Sequence, residues 1–167
     1  MQIGEIDFMI RKARMSDVFE MKELINSYAT EGCMLPRSLD SLFTNVRDFA
    51  VMEEDGHVIG CCGIHPDWED LGEVVSFAVS RPYTRQGIGT RLLEKCTEDA
   101  KSIGLGRLFV LTSSPEFFKK KGFKVINREE LPWKIWADCV NCSKYPGCNS
   151  VSLIKEIDAE NVSKIKK

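Results

Sequence analysis

The sequence predicts an α/β fold, and the main indication is the segment of residues 73–112. It begins with a run of β-branched and aromatic residues typical of a strand, passes through a glycine-containing loop into an amphipathic helical pattern, and ends in a second apolar run. Strand, helix and strand in this order form a βαβ crossover. A second indication is the dipeptide Asp55-Gly56 between two apolar runs, which predicts a β-hairpin upstream.

Before this central unit, the pattern predicts three strands and two helices. Ser16 and Ser38 are good N-caps for the helices, because a serine hydroxyl accepts a hydrogen bond from a backbone N–H of the first turn. Gly32 is placed to end the first helix. The strands are predicted at residues 8–13, 49–52 and 58–64.

The helix of the central unit is predicted to begin after Gly87 and to end at Gly104. Downstream, Ser114 is the predicted N-cap of a short helix, and strands are predicted at residues 123–126 and 151–154. The apolar face of the central helix, expected to face the core, is formed by Ile88, Leu92, Leu93, Cys96, Ala100 and Ile103.

Length and composition predict one globular domain. The chain has 167 residues, of which 43% are hydrophobic and 29% charged, as in soluble proteins with a proper core. We expect the domain to cover residues 8–155. Residues 1–7 are then an N-terminal extension, and residues 156–167 a charged tail that frays.

Charge and cysteine content narrow the classes of function. A net charge of −2 gives no reason to expect nucleic acid or an acidic membrane as a partner. No apolar run reaches the ~18 residues of a membrane span, and the N-terminus lacks the apolar core of a signal peptide. Seven cysteines without an export signal indicate reduced thiols, and we therefore expect a cytoplasmic protein.

The loop of residues 83–90 is the candidate binding site. A glycine-rich loop that opens a helix presents unpaired backbone N–H groups at the positive end of the helix dipole, which suits a phosphate or pyrophosphate, and Arg85 adds a positive charge. The phosphate-binding motif G-x-x-x-x-G-K-[ST] is absent, and Gly87-Ile88-Gly89 lacks the third glycine of a dinucleotide fingerprint. An ordinary turn that binds nothing is the alternative.

Residues 79–89 resemble motif A of the GNAT superfamily of acyl-CoA N-acyltransferases, although Thr84 stands where that family has Arg or Gln. The run Ser114–Phe123 looks like the family's next helix and its closing Gly-Phe, and the resemblance covers about residues 8–154. It implies a mixed, largely antiparallel sheet, splayed at its centre where acetyl-CoA inserts, with helices on both faces. The coenzyme-binding residues that it implies are Phe77, Ala78, Val79, Arg85, Gln86, Gly87, Ile88, Gly89, Thr90, Ser114, Phe117 and Phe118.

Acetyl transfer to an amine needs a base, and Glu73 is the first candidate. The resemblance implies this role for a glutamate early in the central strand, and desolvation there would raise the pKa of the carboxyl. His65 is the second candidate, because the ordinary pKa of histidine is near neutrality. A salt bridge for Glu73 and a hydrogen-bonded rim position for His65 are the alternatives.

The sequence offers no obvious acid to protonate the coenzyme A thiolate as it leaves. The family often places a tyrosine at the position of Phe117 or Phe118, and here Ser113, Ser114, water or nothing takes that role. No cysteine pairs convincingly with a histidine and an acid. We therefore expect direct attack on the thioester in a ternary complex rather than an acyl-enzyme.

Shorter motifs resemble the short, single-domain N-acetylglutamate synthases of the acetylated route of arginine biosynthesis. They are Leu35-Pro36-Arg37-Ser38, Gly60-Cys61-Cys62, the run of residues 131–136, and Asp138-Cys139. The favoured reaction is acetyl-CoA-dependent acetylation of L-glutamate. Its carboxylates are assigned to Arg37 and Lys134, with Ser113 standing where larger members of the group carry an arginine.

Two other functions stay open at this point. One is acetylation of another amine, such as glutamine, a polyamine or a protein N-terminus. The other is a non-catalytic acyl-CoA-binding or metal-binding module. Cys139-x-x-Cys142 with Cys148 has the beginning of a structural zinc site, which would need a fourth ligand from Cys33 or His65; a loop of buried, reduced thiols is the alternative. The expected partners are small-molecule substrates, and a homodimer stays open.

Overall fold

A computed structural model describes residues 8–135 and 148–163 of the chain. The strands are β1 (Met9–Lys12), β2 (Phe49–Glu54), β3 (His57–Pro66), β4 (Leu71–Val79), β5 (Arg107–Thr112), β6 (Lys124–Ile126) and β7 (Val151–Glu156). The helices are α1 (Val18–Ala29), α2 (Leu39–Thr44), α3 (Ile88–Ser102) and α4 (Pro115–Lys120). Among the described helices, none is long and apolar enough to cross a membrane.

The strands form a seven-stranded sheet in the order β1-β2-β3-β4-β5-β7-β6. The β1–β2, β2–β3, β5–β7 and β6–β7 pairs are antiparallel, whereas β4 and β5 run parallel. The parallel ladder covers three residue pairs, from Leu71–Arg107 to Glu73–Phe109, near the beginning of both strands. The predicted mixed, largely antiparallel sheet is therefore confirmed. The chain divides into two compact units, the first with residues 1–64 and 75–99 and the second with residues 65–74 and 100–167.

In the first unit, the predicted hairpin joins β2 to β3. Asp55 and Gly56 have φ values of 49° and 82°, and two positive values in succession are what a type I′ turn requires. The register places Phe49 opposite Gly63 and Ala50 opposite Cys62. The core of this unit is built from Val18, Met21, Ile25, Leu42, Phe49, Val51, Cys61 and Ala78.

Ser16 was predicted to be the N-cap of the first helix, but the structure does not confirm this: α1 begins at Val18. Met15–Asp17 is a 3-10 turn, and the Asp17 carboxylate accepts a hydrogen bond from the backbone N–H of Arg14 at 2.7 Å. Asp17 also accepts two hydrogen bonds from the guanidinium of Arg11, whose Nε–H donates to the carboxylate of Glu53. Burial raises the pKa of the Asp17 carboxyl, but these bonds outweigh it and leave that pKa lowered. The buried ion pair, rather than a serine cap, fixes the start of the helix.

The other two predicted caps differ in outcome. Ser38 caps α2, because its hydroxyl accepts a hydrogen bond from the backbone N–H of Ser41 at 3.1 Å. Ser114 occupies the N-cap position of α4 without a side-chain cap bond, and its own N–H donates to the hydroxyl of Thr112 at 3.0 Å. The local bond to Thr112 takes the place of the predicted cap.

The predicted apolar face of α3 is confirmed over most of its length. Ile88, Leu92, Leu93, Cys96 and Ala100 are buried. Ile103, in contrast, is 64% exposed. The helix ends at Ser102 and Gly104 has a φ of 94°, so that Ile103 lies in the turn and no longer follows the helical face.

In the second unit, β7 lies between β5 and β6, and the core consists of Leu71, Phe109, Leu131 and Ile135. Asp70, only 2% exposed, accepts two hydrogen bonds from the Arg107 guanidinium at 3.0 and 2.9 Å and one from the Ser163 amide at 3.0 Å. The carbonyl of Asp70 accepts from the amides of Gly106 and Arg107. This network joins the beginning of β4 to the beginning of β5.

The segment after β7 was expected to fray, yet its described part is bonded in place. The amides of Ile157 and Asp158 donate to the Gly106 carbonyl, and Ala159–Asn161 is a 3-10 turn. A Cβ added to Gly106 would lie 2.6 Å from the backbone nitrogen of Val162. The segment therefore packs directly on the Gly106 backbone.

Candidate active site

The loop before α3 has the backbone geometry of an anion site. Arg81–Tyr83 is a 3-10 turn, and Arg85 and Gly87 follow with positive φ values of 63° and 80°. The first bond of the helical ladder runs from the Arg91 N–H to the Gly87 carbonyl at 3.1 Å. The amides of Ile88, Gly89 and Thr90 precede that ladder and point out of the helix end, where the dipole is positive.

Space and charge around this loop also suit a pyrophosphate. Arg85, Gln86 and Gly87 are exposed, and a Cβ on Gly87 would meet nothing within 4 Å. The first turn of α3 carries no acidic residue. The Gln86 side chain donates to the Pro82 carbonyl at 3.2 Å, and Ile88 is buried, so that both brace the loop. The residues present therefore fit a phosphorylated coenzyme, held mainly by backbone amides.

The strand that leads into this loop is irregular at one residue that no sequence motif indicates. Ser76 has a φ of 49°, which is uncommon for a non-glycine residue and unusual inside a strand. The Cys61 thiol donates to the Ser76 carbonyl at 3.4 Å. A serine between Val75 and Phe77 carries no turn signal, so that only the structure reveals this position.

The end of β4 is fixed by α1. The Tyr28 hydroxyl donates to the Val79 carbonyl, and the Arg81 guanidinium lies 4.4 Å from the centroid of the Tyr28 ring while it pairs with Glu31. Burial raises the pKa of Tyr28, which keeps the phenol protonated as a donor. Ala78 is buried in the core. Of the strand residues predicted to contact the coenzyme, Ala78 and Val79 thus also serve the packing of the first unit.

Arg37, the predicted carboxylate ligand, has its backbone held by one side chain. The amide group of Asn26 accepts from the Arg37 N–H at 3.1 Å and donates to the Arg37 carbonyl at 3.4 Å. The guanidinium carbon lies 5.7 Å from the centroid of the Phe49 ring. The sequence did not predict either contact. Asn26 and Phe49 lie 11 and 12 residues from Arg37 in the chain, and neither belongs to a motif that would link it to Arg37.

Phe49 connects Arg37 to the central strand. A Cβ on Gly63 would lie 2.9 Å from Cε1 of Phe49 and 2.9 Å from Cγ2 of Val75, so that both side chains lie over this glycine. Val75 packs against the core cluster that contains Phe49. Arg37, Phe49 and Val75 therefore form a row of neighbouring side chains in the first unit. Val75 is the residue before Ser76.

In the second unit, both candidate bases lie on strands that the Pro66–Leu71 connection joins. Glu73 is the third residue of β4 and is half-buried, and its backbone lies opposite Phe109 in the parallel ladder with β5. His65 is the penultimate residue of β3 and is also half-buried. Their roles as base stay predictions.

Lys134, the second predicted carboxylate ligand, is engaged with Asp67. Its ammonium donates to the Asp67 carbonyl at 3.2 Å and lies 3.6 Å from the Asp67 carboxylate. Buried Leu131 and Ile135 attach this segment to the core of the second unit. A substrate carboxylate at Lys134 would have to compete with Asp67, and no local motif predicts this competition.

The residues around α4 divide into exposed and buried ones. Ser113 and Ser114 are exposed. Phe118 is 4% exposed and packs edge-to-face on Phe117 and Phe123, with ring centroids 5.2 and 5.4 Å away. Phe117 is half-buried. The structure thus gives Phe118 a core role. Coenzyme contact by Phe117 and Ser114, and substrate contact by Ser113, stay predictions.

The zinc prediction cannot be followed to its full ligand set, because Cys139 and Cys142 lie outside the described residues. Cys148 is half-buried, and its sulfur accepts from the Ser150 N–H at 3.5 Å. The Ser150 side chain lowers the pKa of Cys148, and the Ser150 backbone N–H and Arg128 act in the same direction, against the opposite effect of burial. Within residues 8–135 and 148–163, no group of three or more His, Cys, Asp or Glu side chains could hold a metal ion.

The buried thiols are poor nucleophiles. Burial raises the pKa of Cys61 to about 12 and also raises that of Cys62. The Cys96 thiol donates to the Cys62 carbonyl at 3.3 Å. Because the thiolate is the reactive form, neutral thiols in the core fit the expectation of a reaction without a cysteine acyl-enzyme.

Comparison with known proteins identifies relatives over most of the chain. An uncharacterised N-acetyltransferase of Chlorobaculum tepidum is 38% identical over 90% of this chain and 97% of its own length. The amino-acid acetyltransferase of Mycobacterium tuberculosis is 38% identical over 71% of this chain and 69% of its own length. The amino-acid acetyltransferase of Neisseria meningitidis is 35% identical over 74% of this chain, but the match covers only 29% of that longer protein.

Among solved structures, N-acetylglutamate synthase from Neisseria gonorrhoeae, complexed with coenzyme A and N-acetyl-glutamate, has a TM-score of 0.83 and 31% identity. The match covers 92% of this chain and 36% of that one. The model of the acetyltransferase (GNAT) family matches residues 16–123, which include the loop before α3 and the irregular strand β4. The chain therefore belongs to the acetyltransferase (GNAT) family and is an N-acetyltransferase.

Proposed function

We propose that this protein transfers the acetyl group of acetyl-CoA to the α-amino group of L-glutamate, the first step of the acetylated route of arginine biosynthesis. Relatives named amino-acid acetyltransferases support an amino acid as the acceptor. The similarity to a synthase complexed with coenzyme A and N-acetyl-glutamate favours glutamate. The solved structure of that relative with coenzyme A and an amino-acid derivative supports small molecules as the substrates.

The observation that carries the proposal is the row of Arg37, Phe49 and Val75. Phe49 lies next to the Arg37 guanidinium on one side and close to Val75 on the other, and Val75 belongs to the strand that leads into the loop around Gly87. A guanidinium binds a carboxylate through two parallel hydrogen bonds, a geometry that lysine cannot reproduce. The backbone bonds to Asn26 hold Arg37 in advance, which lowers the entropy cost of binding a substrate carboxylate.

The remaining roles follow from the chemistry of the reaction. Acetyl-CoA supplies an activated thioester, and the amides around Gly87 would hold its pyrophosphate. Ammonium groups are not nucleophiles, so that a base must take a proton from the substrate amine, and Glu73 is our first candidate and His65 our second. Lys134 could reach a second carboxylate only by leaving Asp67. A zinc site at Cys139, Cys142 and Cys148 would be structural rather than catalytic.

The decisive experiment measures turnover of acetyl-CoA with a panel of amines: glutamate, aspartate, glutamine, leucine and a polyamine. We expect glutamate to have the highest kcat/KM. Equal rates with glutamate and leucine would reject glutamate selectivity, and turnover of a polyamine alone would reject the amino-acid acceptor. Without turnover of any amine, the assignment of this catalytic activity would fail.

The substitution Arg37→Lys tests the assigned carboxylate ligand. Loss of the two-bond geometry should cost about 1.5–3 kcal/mol, which raises the KM for glutamate about 10- to 150-fold and changes the KM for acetyl-CoA little. Arg47→Lys is a suitable control, because Arg47 is exposed in a neighbouring 3-10 turn. Equal effects of the two substitutions on the KM for glutamate would show that Arg37 is not the ligand.

A further inference from the structure

We propose that Cys61 is a positioning residue for acetyl transfer, because its thiol holds β4 in its irregular shape at Ser76. The inference rests on the acetyl-CoA-dependent reaction proposed above and adds a residue to it. Cys61 lies on the neighbouring strand β3, and its side chain is fully buried.

The backbone at Ser76 needs outside support. Its φ of 49° falls in the left-handed region, where a Cβ crowds the backbone, and in a strand this conformation persists only when the surroundings hold it. The flanking residues Val75 and Phe77 are of the types that favour extended backbone. Local sequence preference therefore opposes the observed conformation, and a tertiary contact must stabilise it.

The thiol of Cys61 supplies that contact. Its sulfur lies 3.4 Å from the Ser76 carbonyl oxygen and donates a hydrogen bond to it from the neighbouring strand. A thiol can donate to a carbonyl only while it keeps its proton. Burial raises the pKa of Cys61 to about 12, and the donor is therefore present at every physiological pH.

The direction of the Ser76 carbonyl determines the direction of the next amide. In a planar trans peptide, the C=O and the following N–H point in opposite directions. Because the Ser76 carbonyl points to Cys61, the Phe77 N–H points away from Cys61. A thioester lying against that side of β4 would meet this donor, which can stabilise the negative charge that develops on the carbonyl oxygen during attack. The Cys61 thiol therefore determines the direction of the Phe77 N–H, although it does not contact that group.

The neighbouring Cys62 offers a matched control. It is equally buried on the same strand, but its carbonyl accepts a hydrogen bond from the thiol of Cys96 on α3. Its own thiol donates to the Gly63 carbonyl at 3.9 Å rather than to β4. Cys61→Ala and Cys62→Ala remove the same atoms from the core and should lower the melting temperature to a similar degree. Only the first removes the bond to Ser76. Cys61→Ser keeps a donor at the same place.

Two measurements test the inference. Without any substrate, amide hydrogen exchange over residues 74–79 should become faster by about fivefold or more in Cys61→Ala than in Cys62→Ala, because a typical hydrogen bond accounts for about that factor. With acetyl-CoA and the best acceptor, kcat should fall about fivefold to tenfold in Cys61→Ala with little change in the KM of the acceptor. Cys61→Ser should recover part of the loss in both.

The outcomes separate this inference from the proposed function. If the wild-type protein acetylates no amine, the proposed function fails, whereas the exchange experiment still tests the bond between Cys61 and Ser76. If Cys61→Ala matches Cys62→Ala in both exchange and kcat, Cys61 is only a packing residue and the inference is rejected. Faster exchange with an unchanged kcat would also reject it, because the shape of β4 at Ser76 would then not matter for transfer.

Discussion

Asp70→Asn should destabilise the protein by an amount that can be worked out from its contacts. The Asp70 side chain accepts three hydrogen bonds, two from Arg107 and one from the Ser163 amide, and asparagine would turn an N–H toward these donors. Removing one partner of a fully buried ion pair costs about 3–5 kcal/mol. The Arg107 side chain is 37% exposed, against 2% for Asp70, so that water recovers part of the loss. We therefore expect about 2–3 kcal/mol.

This loss is measurable by urea unfolding followed through tryptophan fluorescence. For a chain of 167 residues it corresponds to a melting temperature lower by about 4–12 °C. Glu116→Gln is the control, since the Glu116–Lys119 pair is exposed and should contribute less than about 0.5 kcal/mol. A second test is a double-mutant cycle with Arg107→Gln, in which the two losses should not add.

The pH dependence provides a further check on Asp70. Burial raises the pKa of its carboxyl, but the bonds from Arg107 and the Ser163 amide outweigh that effect and leave the pKa lowered. A lowered folded-state pKa adds stability above the unfolded-state pKa of about 4, and this stability is lost as the pH falls through the folded-state value. The difference between wild type and Asp70→Asn should therefore shrink below about pH 4. An Asp70→Asn variant as stable as Glu116→Gln at neutral pH would refute the reasoning.

Three further predictions concern the site. Gly87→Val should weaken coenzyme A binding, measured by calorimetry, at least about tenfold. Gly104 has a similar positive φ at the other end of α3, so that Gly104→Val should cause similar backbone strain but leave coenzyme binding unchanged. Equal binding by the two variants would show that the loop is not part of the site. Glu73→Gln should lower kcat by about 10²–10⁴-fold, with a smaller deficit at high pH where free amine is abundant, and an unchanged pH–rate profile would exclude Glu73 as the base. If Cys142 binds zinc, purified protein should contain about one equivalent of metal that Cys142→Ser loses, and metal-free protein with full activity would contradict this.

The elements with strong local signals were predictable from the sequence. Asp55-Gly56 forms the hairpin turn, Ser38 caps α2, and the apolar period of α3 is buried up to Ala100. Each of these depends on residues close together in the chain, where turn chemistry and helical period act directly. The loop at Gly87 belongs to the same class.

Features that depend on contacts between different elements were not predictable. Asp17 rather than Ser16 fixes the first helix because Arg11 reaches it from β1, and Lys134 is bound to Asp67, which is 67 residues away. The left-handed conformation of Ser76 opposes its local sequence and depends on a thiol of another strand. A single sequence records propensities but not which side chains the fold brings together.

The packing of residues 157–163 on Gly106 has a practical consequence for anyone who shortens or tags the chain. A truncation after Glu156, at the end of the last strand, would look harmless by the sheet alone. It would, however, uncover the Gly106 carbonyl, which accepts from Ile157 and Asp158, and would take the Ser163 amide from Asp70. Affinity tags at this end should therefore follow residue 167 through a flexible linker, and a library that varies position 106 should return almost only glycine.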